Sequence, residues 1–218
     1  HQSLAANQIE SIVGILNGTT NYILSQMTET GVSYANALAD AKKQGFAEAD
    51  PTNDVCGFDA ARKLAILSSI GFRANVTFDD VLVEGIEKID KSDIQYAKDM
   101  GYTIKLLTVA LRQENGIALN VYPAFLPDNH PLSSVKGAYN AIYVTGNIVD
   151  DVMFYGRGAG ALPTASAVMG DVISTAQHIL NGSTGTGMIM TDTKRIPFYS
   201  SLKLQNSYYF RLDVDDVT

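Results

Sequence analysis

Between Ala41 and Lys63 the chain reads AKKQGFAEADPTNDVCGFDAARK, and this stretch gathers Glu48, Asp50, Asp54, Asp59 and Lys63 around Gly45, Pro51 and Gly57. Carboxylates and an ammonium are the groups that hold a small charged molecule and exchange protons with it. Asp59 and Lys63 are four apart, so on a helix they share a face. On a solvated face such a pair is a surface ion pair worth ~0.3–0.5 kcal/mol. Here the neighbours Val55, Phe58, Ala60, Ala61, Leu64, Ile66 and Leu67 are apolar. The pattern therefore predicts a buried helix, on which a lysine beside a carboxylate is a candidate proton-transfer group.

The elements that position these groups read as helix, turn, helix. Ser33 can cap a helix over YANALADAKKQ, with Gly45 just past its end. Asp50 is held extended by Pro51, and Asp54 is expected to cap a second helix running through Cys56, Asp59, Lys63 and Leu67 to Gly71.

The pattern Ala41-x3-Gly45-Phe46-Ala47-x2-Asp50-Pro51-x2-Asp54-Val55-x-Gly57-x-Asp59-x3-Lys63 resembles the signature of homoserine dehydrogenase, with every defining position filled. GILNGTTNYIL, from Gly14 to Leu24, resembles the segment that opens that family's catalytic domain. GRGAGALPTASAVMGDV, from Gly156 to Val172, resembles its late glycine-rich loop and helix. The resemblance implies reversible NAD- or NADP-dependent interconversion of L-homoserine and L-aspartate 4-semialdehyde. It implies Lys63 as acid/base and Asp59 as the residue that orients it and touches substrate. Glu48 is implied as holder of the α-ammonium, with Asp54, Gly18, Thr19 and Gly45 completing the pocket. Gly160, Gly45 and Glu48 are implied as cofactor contacts. Phe46 stands where some members carry tyrosine, so that position lacks a hydroxyl. The resemblance also implies a homodimer or higher homo-oligomer, and an N-terminal dinucleotide-binding domain before residue 1 that carries a second active-site lysine and the family's monovalent-cation site.

Composition agrees with a packed enzyme domain. The 218 residues are 46% hydrophobic, with a formal net charge of −7. That balance argues against nucleic acid or an anionic membrane surface as partner, since both need clustered Lys and Arg. The single Cys56 cannot form an internal disulfide, and as a small buried residue it suits a reducing cytoplasm. No run approaches the ~18 apolar residues of a membrane helix. His130 and His178 lack metal-ligand spacing and no Cys/His cluster exists, so no metal site is expected. A cofactor-binding strand, G-x-G-x-x-G turn and helix is also missing: the glycines at 156, 158 and 160 have the wrong spacing, and no acidic residue follows ~20 positions on.

The rest of the chain supplies the scaffold. Residues 3–13 have helical apolar spacing, and Asn17 to Asn21 reads as a polar turn and helix start, either a plain cap or a substrate-lining turn. Residues 83–89 read as a short strand, and Ser92 with Gln95 as the capping box of a helix ending at Gly101. YTIKLLTVALRQ and IALNVYPAFL flank Glu114-Asn115-Gly116 as a hairpin, and residues 140–147 and 148–156 form a second one. A helix starts near Pro163. The expected fold is α+β, a mixed, largely antiparallel sheet covered on one face by helices, with the other face available for dimerisation. Residues 1–182 form the catalytic domain and 183–206 a linker. Residues 207–218 resemble the first strand of a truncated ACT-like regulatory domain. That tail motivates an alternative in which the chain is a dimerisation and effector-binding scaffold without catalysis. A dehydrogenase for another small amino acid is a third reading.

Overall fold

The computed structural model describes residues 2–183, 197–199, 206–212 and 214. Its centre is a six-stranded sheet in the order β2-β4-β3-β1-β5-β6. The strands are β1 (Ile9–Ile15), β2 (Leu82–Val83), β3 (Tyr102–Gln113), β4 (Gly116–Pro127), β5 (Tyr139–Gly146) and β6 (Asp150–Arg157). All neighbours pair antiparallel except β2, which runs parallel to β4. Both expected hairpins form: β3 and β4 pair in register from Tyr102↔Pro127 to Gln113↔Gly116, and β5 with β6 from Tyr139↔Arg157 to Gly146↔Asp150.

Period-2 alternation divides the strands between two clusters. Ile104, Leu106, Ala110, Ile117, Leu119 and Val121 join the main core, with the helices α1 (Gly18–Thr30), α2 (Tyr34–Lys43), α4 (Phe58–Phe72) and α5 (Lys91–Asp99) supplying Ile23, Leu24, Ala41, Ala61, Leu64 and Ile94. The opposite face carries a smaller cluster of Ile15, Leu107, Val109, Leu126 and Ala141 with Leu132 and Val135 of the β4–β5 connection. The fold is thus the α+β arrangement expected, with α1, α2, α4 and α5 on one face. The last helix, α6 (Ala161–Leu180), has no buried residue and leaves Val168, Met169, Val172 and Ile173 about half exposed.

Several local expectations are overturned. Residues 9–15 form the central strand β1, flanked by β3 and β5, where residues 3–13 were expected to be helical. A register shift between Ile9 and Ser11 places Ile9 and Ile12 in the same cluster, and a spacing of three between buried residues imitates a helix. Of the strand expected at 83–89, only Val83 pairs. The chain then turns in against the short helix α3 (Thr52–Val55), with Ile86 N donating to Val55 O at 2.8 Å; a Cβ on Gly85 would lie 2.2 Å from that oxygen. Helix α5 is capped by Asp90 with Asp93 in a capping box, two residues earlier than Ser92 and Gln95. Asp90 wins because it is free in the extended conformation that a cap requires.

Most of 183–206 lies outside the described residues. Of the strand expected at 207–218, the described residues 207–212 and 214 pair with no other strand among the described residues. They are held by side chains: Tyr209 stacks on Phe125 with ring centroids 4.8 Å apart, and Arg211 Nη1 lies 2.8 Å from Asp93 Oδ1. No helix among the described residues is long and apolar enough to cross a membrane.

Candidate active site

The expected single helix from 54 to 71 is two helices. Gly57 sits between α3 and α4 at φ +82, and a Cβ there would meet Val83 Cγ1 at 3.1 Å and Val121 Cγ1 at 3.2 Å, so glycine satisfies both the left-handed backbone and the tight packing. Asp54 therefore does not cap the helix that carries Lys63. Asp50 does the local capping, its Oδ1 accepting from Thr52 N at 3.1 Å and from Thr52 Oγ1 at 2.6 Å, and the Thr52 hydroxyl holds the Asp50 carboxyl below its ordinary value. Asp54 is released to turn toward Asp59.

The two carboxylates meet on Asn17, which follows β1 and opens α1. Asn17 Nδ2 donates to Asp54 Oδ1 at 2.7 Å and to Asp59 Oδ2 at 2.9 Å, while its Oδ1 accepts from Thr20 N at 2.9 Å and caps α1. Lys63 Nζ donates to Asp59 Oδ2 at 2.6 Å and to Leu16 O at 3.1 Å. Leu16 O also accepts from Asn140 Nδ2 of β5 at 3.3 Å. One connected set of polar groups thus joins the end of β1, the α3–α4 pair and β5.

Asn17 is 4% exposed, whereas the side chains of Lys63 and Asp59 are 47% and 32% exposed. The expectation of a buried lysine is wrong in this chain. The apolar residues that suggested burial, Ile66 and Leu67, line a cleft of about 420 Å³ together with Lys63, Leu16, Asn140, Ile142, Phe154 and the end of β6 with the residue after it, Gly156 to Gly158. Hydrophobicity on that side of α4 faces an open cleft rather than the core. At this exposure the Asp59–Lys63 pair contributes only ~0–1 kcal/mol to folding.

Gly18 and Thr19 begin α1 beside Asn17. A Cβ on Gly18 would lie 2.9 Å from Ala138 O, so the helix start packs directly against the strand entering β5. Thr19 Oγ1 donates to Phe46 O at 2.5 Å, and this bond joins the turn bearing Gly45 and Glu48 to the same corner. Gly45 lies at φ +76 as expected of a residue ending α2, and Lys42 Nζ closes the turn by donating to Ala49 O at 2.9 Å. The Phe46 ring packs on Tyr22, whose hydroxyl donates to Asp40 and is pushed up to about 12 by that carboxylate. Glu48 is exposed at the turn's surface. Gly160 caps the start of α6 at φ 122 and lies beyond Gly156 to Gly158, which line the cleft.

Cys56 lies between α3 and α4, half-buried, with Sγ donating to Glu87 Oε2 at 3.0 Å. That hydrogen bond, burial and the nearby negative charge push the thiol up to about 11, which suppresses the nucleophilic thiolate. His130 Nδ1 accepts from Leu132 N and caps a turn, and burial lowers its basicity. Among the described residues no three His, Cys, Asp or Glu side chains converge as metal ligands. The cleft suits a flat ring such as a nicotinamide: Leu16, Ile66, Leu67, Ile142 and Phe154 offer apolar walls, and Gly156 leaves the backbone open, whereas at Gly158 the Asn140 amide occupies the space a Cβ would take.

Asn17, Leu16 O and Asn140 were not predicted as site groups. The segment GILNGTTN offered Asn17 as a cap or as part of a substrate-lining turn, and nothing local tells that its amide reaches carboxylates 37 and 42 positions away.

The corner is thus an α+β domain's ammonium on one carboxylate, Asp59, tied through the Asn17 amide to a second, Asp54, beside a largely apolar cleft. The homoserine dehydrogenase family profile matches residues 1–173. The homoserine dehydrogenase of Corynebacterium glutamicum is 46% identical over 220 residues, covering 99% of this chain and 49% of that protein. The Synechocystis enzyme is 52% identical over 177 residues, covering 79% and 41%. Among solved structures, a homoserine dehydrogenase from Thiobacillus denitrificans superposes with a TM-score of 0.87 at 40% identity, covering 91% of this chain and 47% of the other. A hyperthermophilic archaeal homoserine dehydrogenase in complex with NADPH gives 0.66 at 28% identity, covering 80% and 49%. The chain belongs to the homoserine dehydrogenase family, and it spans about half the length of the curated relatives it matches.

Proposed function

We propose that the protein to which this chain belongs is an NAD(P)-dependent homoserine dehydrogenase interconverting L-homoserine and L-aspartate 4-semialdehyde, with residues 1–182 as its catalytic and substrate domain, 183–206 a linker and 207–218 the opening of an ACT-like regulatory domain. The observation that carries the reading is the contact of Lys63 with Asp59, bridged by Asn17 to Asp54, inside a chain that matches the family along most of its length.

Alcohol oxidation requires loss of a hydroxyl proton together with a hydride, and the nicotinamide, NAD or NADP, supplies the hydride acceptor. In the reducing direction the Lys63 ammonium gives a proton to the developing alkoxide and becomes the neutral amine; in the oxidising direction Lys63 enters as that neutral amine and takes the hydroxyl proton. Asp59 Oδ2 and Leu16 O hold Nζ on the side of α4 that borders the cleft. Asp59 and Asp54 contact the polar end of the substrate, and Glu48 receives its α-ammonium in a charge-assisted hydrogen bond. Gly18, Thr19 and Gly45 shape the pocket, with Gly45, Glu48 and Gly160 toward the cofactor. The second sheet face is assigned to a homodimer or higher homo-oligomer. The reading makes the protein a cytoplasmic enzyme of amino-acid biosynthesis, serving threonine, methionine and isoleucine.

The test is homoserine-dependent reduction of NAD or NADP by the full-length protein, followed by absorbance, beside a panel of other small amino-acid alcohols. Turnover with homoserine above the rest of the panel supports the reading. No turnover of any alcohol moves the chain to the scaffold alternative, and preference for another member moves it to a different dehydrogenase.

A further inference from the structure

Capping α1 needs only an oxygen, and serine, threonine or aspartate in place of Asn17 would provide one. The amide nitrogen is surplus to that task, yet both of its N–H groups are used, one on Asp54 and one on Asp59. The two acceptors come from different helices, α3 and α4, which are joined through the left-handed Gly57. Because both oxygens bond the same nitrogen, they are held less than two hydrogen-bond lengths apart, close enough for like charges to repel. A neutral group with two donors, nine-tenths or more buried and fixed by its own cap to Thr20 N, is what keeps them there. The Asp59 oxygen that accepts from Asn17 is also the one that accepts from Lys63. Without the amide, Asp59 is free to rotate away from Asp54, and Lys63 is left between a displaced carboxylate and its second acceptor, Leu16 O.

We propose that Asn17 is a positioning residue of the active site, whose amide holds Asp54 and Asp59 together and so fixes the direction in which Lys63 points. The proposal rests on the dehydrogenase reading above. Asn17 touches neither substrate nor cofactor in this role and acts through the carboxylates. Of the common capping residues only asparagine both accepts from the helix start and donates twice, so the requirement is specific to this side chain.

The experiment compares full-length wild type with Asn17→Ser and Asn17→Asp. Both variants keep an oxygen for Thr20 N and lose the two-donor nitrogen, and aspartate adds a third negative charge. The expected result is a kcat lower by ~10–100-fold in each, the size of a misplaced catalytic group. KM for the dinucleotide is expected to stay within about twofold in both. The acid limb of the pH–rate profile is expected to move to higher pH in Asn17→Asp, a change that lost capping alone does not produce. Thermal melting shows which variant is folded, and the proposal is read on any folded one. Wild-type kcat with an unmoved acid limb in a folded variant overturns it, as does equal loss on both substrates in step with melting temperature. If neither variant folds, Asn17 is a folding residue and the proposal also falls. A wild-type protein that oxidises no homoserine fails the dehydrogenase reading first, and the proposal with it. An active wild type beside unchanged variants fails the proposal alone.

Discussion

Lys63 and Asn17 share an acceptor: Lys63 Nζ reaches Asp59 Oδ2 at 2.6 Å and Asn17 Nδ2 reaches the same oxygen at 2.9 Å. The first contact is between residues four apart on one helix, and the second spans 42 positions. The chemistry of this corner depends on both.

Lys63→Ala in the full-length protein is expected to lower kcat by ~10²-fold or more, the usual contribution of a positioned acid/base. Its effect on stability is expected to stay within ~1 kcal/mol, because the ion pair it removes is partly solvated. Steady-state kinetics beside urea unfolding checks both halves. A near-normal kcat removes Lys63 from the mechanism.

Gly57→Ala forces an alanine to φ +82 and brings its Cβ to 3.1 Å from Val83 Cγ1. The left-handed backbone alone costs ~1–2 kcal/mol, and the contact adds to it. A loss of about 1–3 kcal/mol in unfolding free energy is expected, with reduced kcat because the α3–α4 junction sets Asp54 against Asp59. Unchanged unfolding would show that the junction yields easily.

Cys56→Ser is expected to leave kcat within about twofold, since a thiol pushed up to about 11 offers almost no thiolate at neutral pH. For the same reason iodoacetamide should label Cys56 slowly at pH 8, and rapid labelling by mass spectrometry would contradict the Glu87 contact.

Lys105 is 2% exposed in β3, with Nζ donating to Asn21 Oδ1 at 2.9 Å and to Val135 O at 2.6 Å. Burial, the largest influence on it, pushes it down to about 8 from the ordinary 10.5. Below about 8 both folded and unfolded chains carry the proton, and the folded one bears the full cost of burying the charge. Between about 8 and 10.5 the unfolded chain still holds a proton that the folded chain has released, so this residue makes stability rise with pH. Lys105→Met removes that dependence. The stability of wild type relative to the variant is expected to increase from pH 8 to pH 10 in urea unfolding, and a flat or falling difference would show that burial does not drive the proton off Lys105.

Much of the fold follows from neighbours close in the chain. The turn Glu114-Asn115-Gly116 between two β-rich runs specifies the β3–β4 hairpin, and Ser33 with Gly45 bounds α2, because turn and cap chemistry act within a few residues. The same locality placed Asp59 and Lys63 on one face. It failed for β1, where a strand buried on both faces and carrying a register shift has no alternation to show. It failed again for the surroundings of Lys63, since Ile66 and Leu67 look alike in sequence whether they meet a core or an open cleft.

The sequence by itself determined which groups could do the chemistry, where most helices and hairpins begin and end, and, through the spacing from Ala41 to Lys63, the family. Only the tertiary structure decided that Asp54 turns away from capping, that Asn17 bridges it to Asp59, and that Lys63 borders a cleft with Asn140 and the end of β6. The physical reason is that these contacts depend on the sheet order, which brings the end of β1 beside β5 and packs α3 and α4 behind Asn17. That order is chosen by the burial of the whole core, to which no short window of sequence is sensitive.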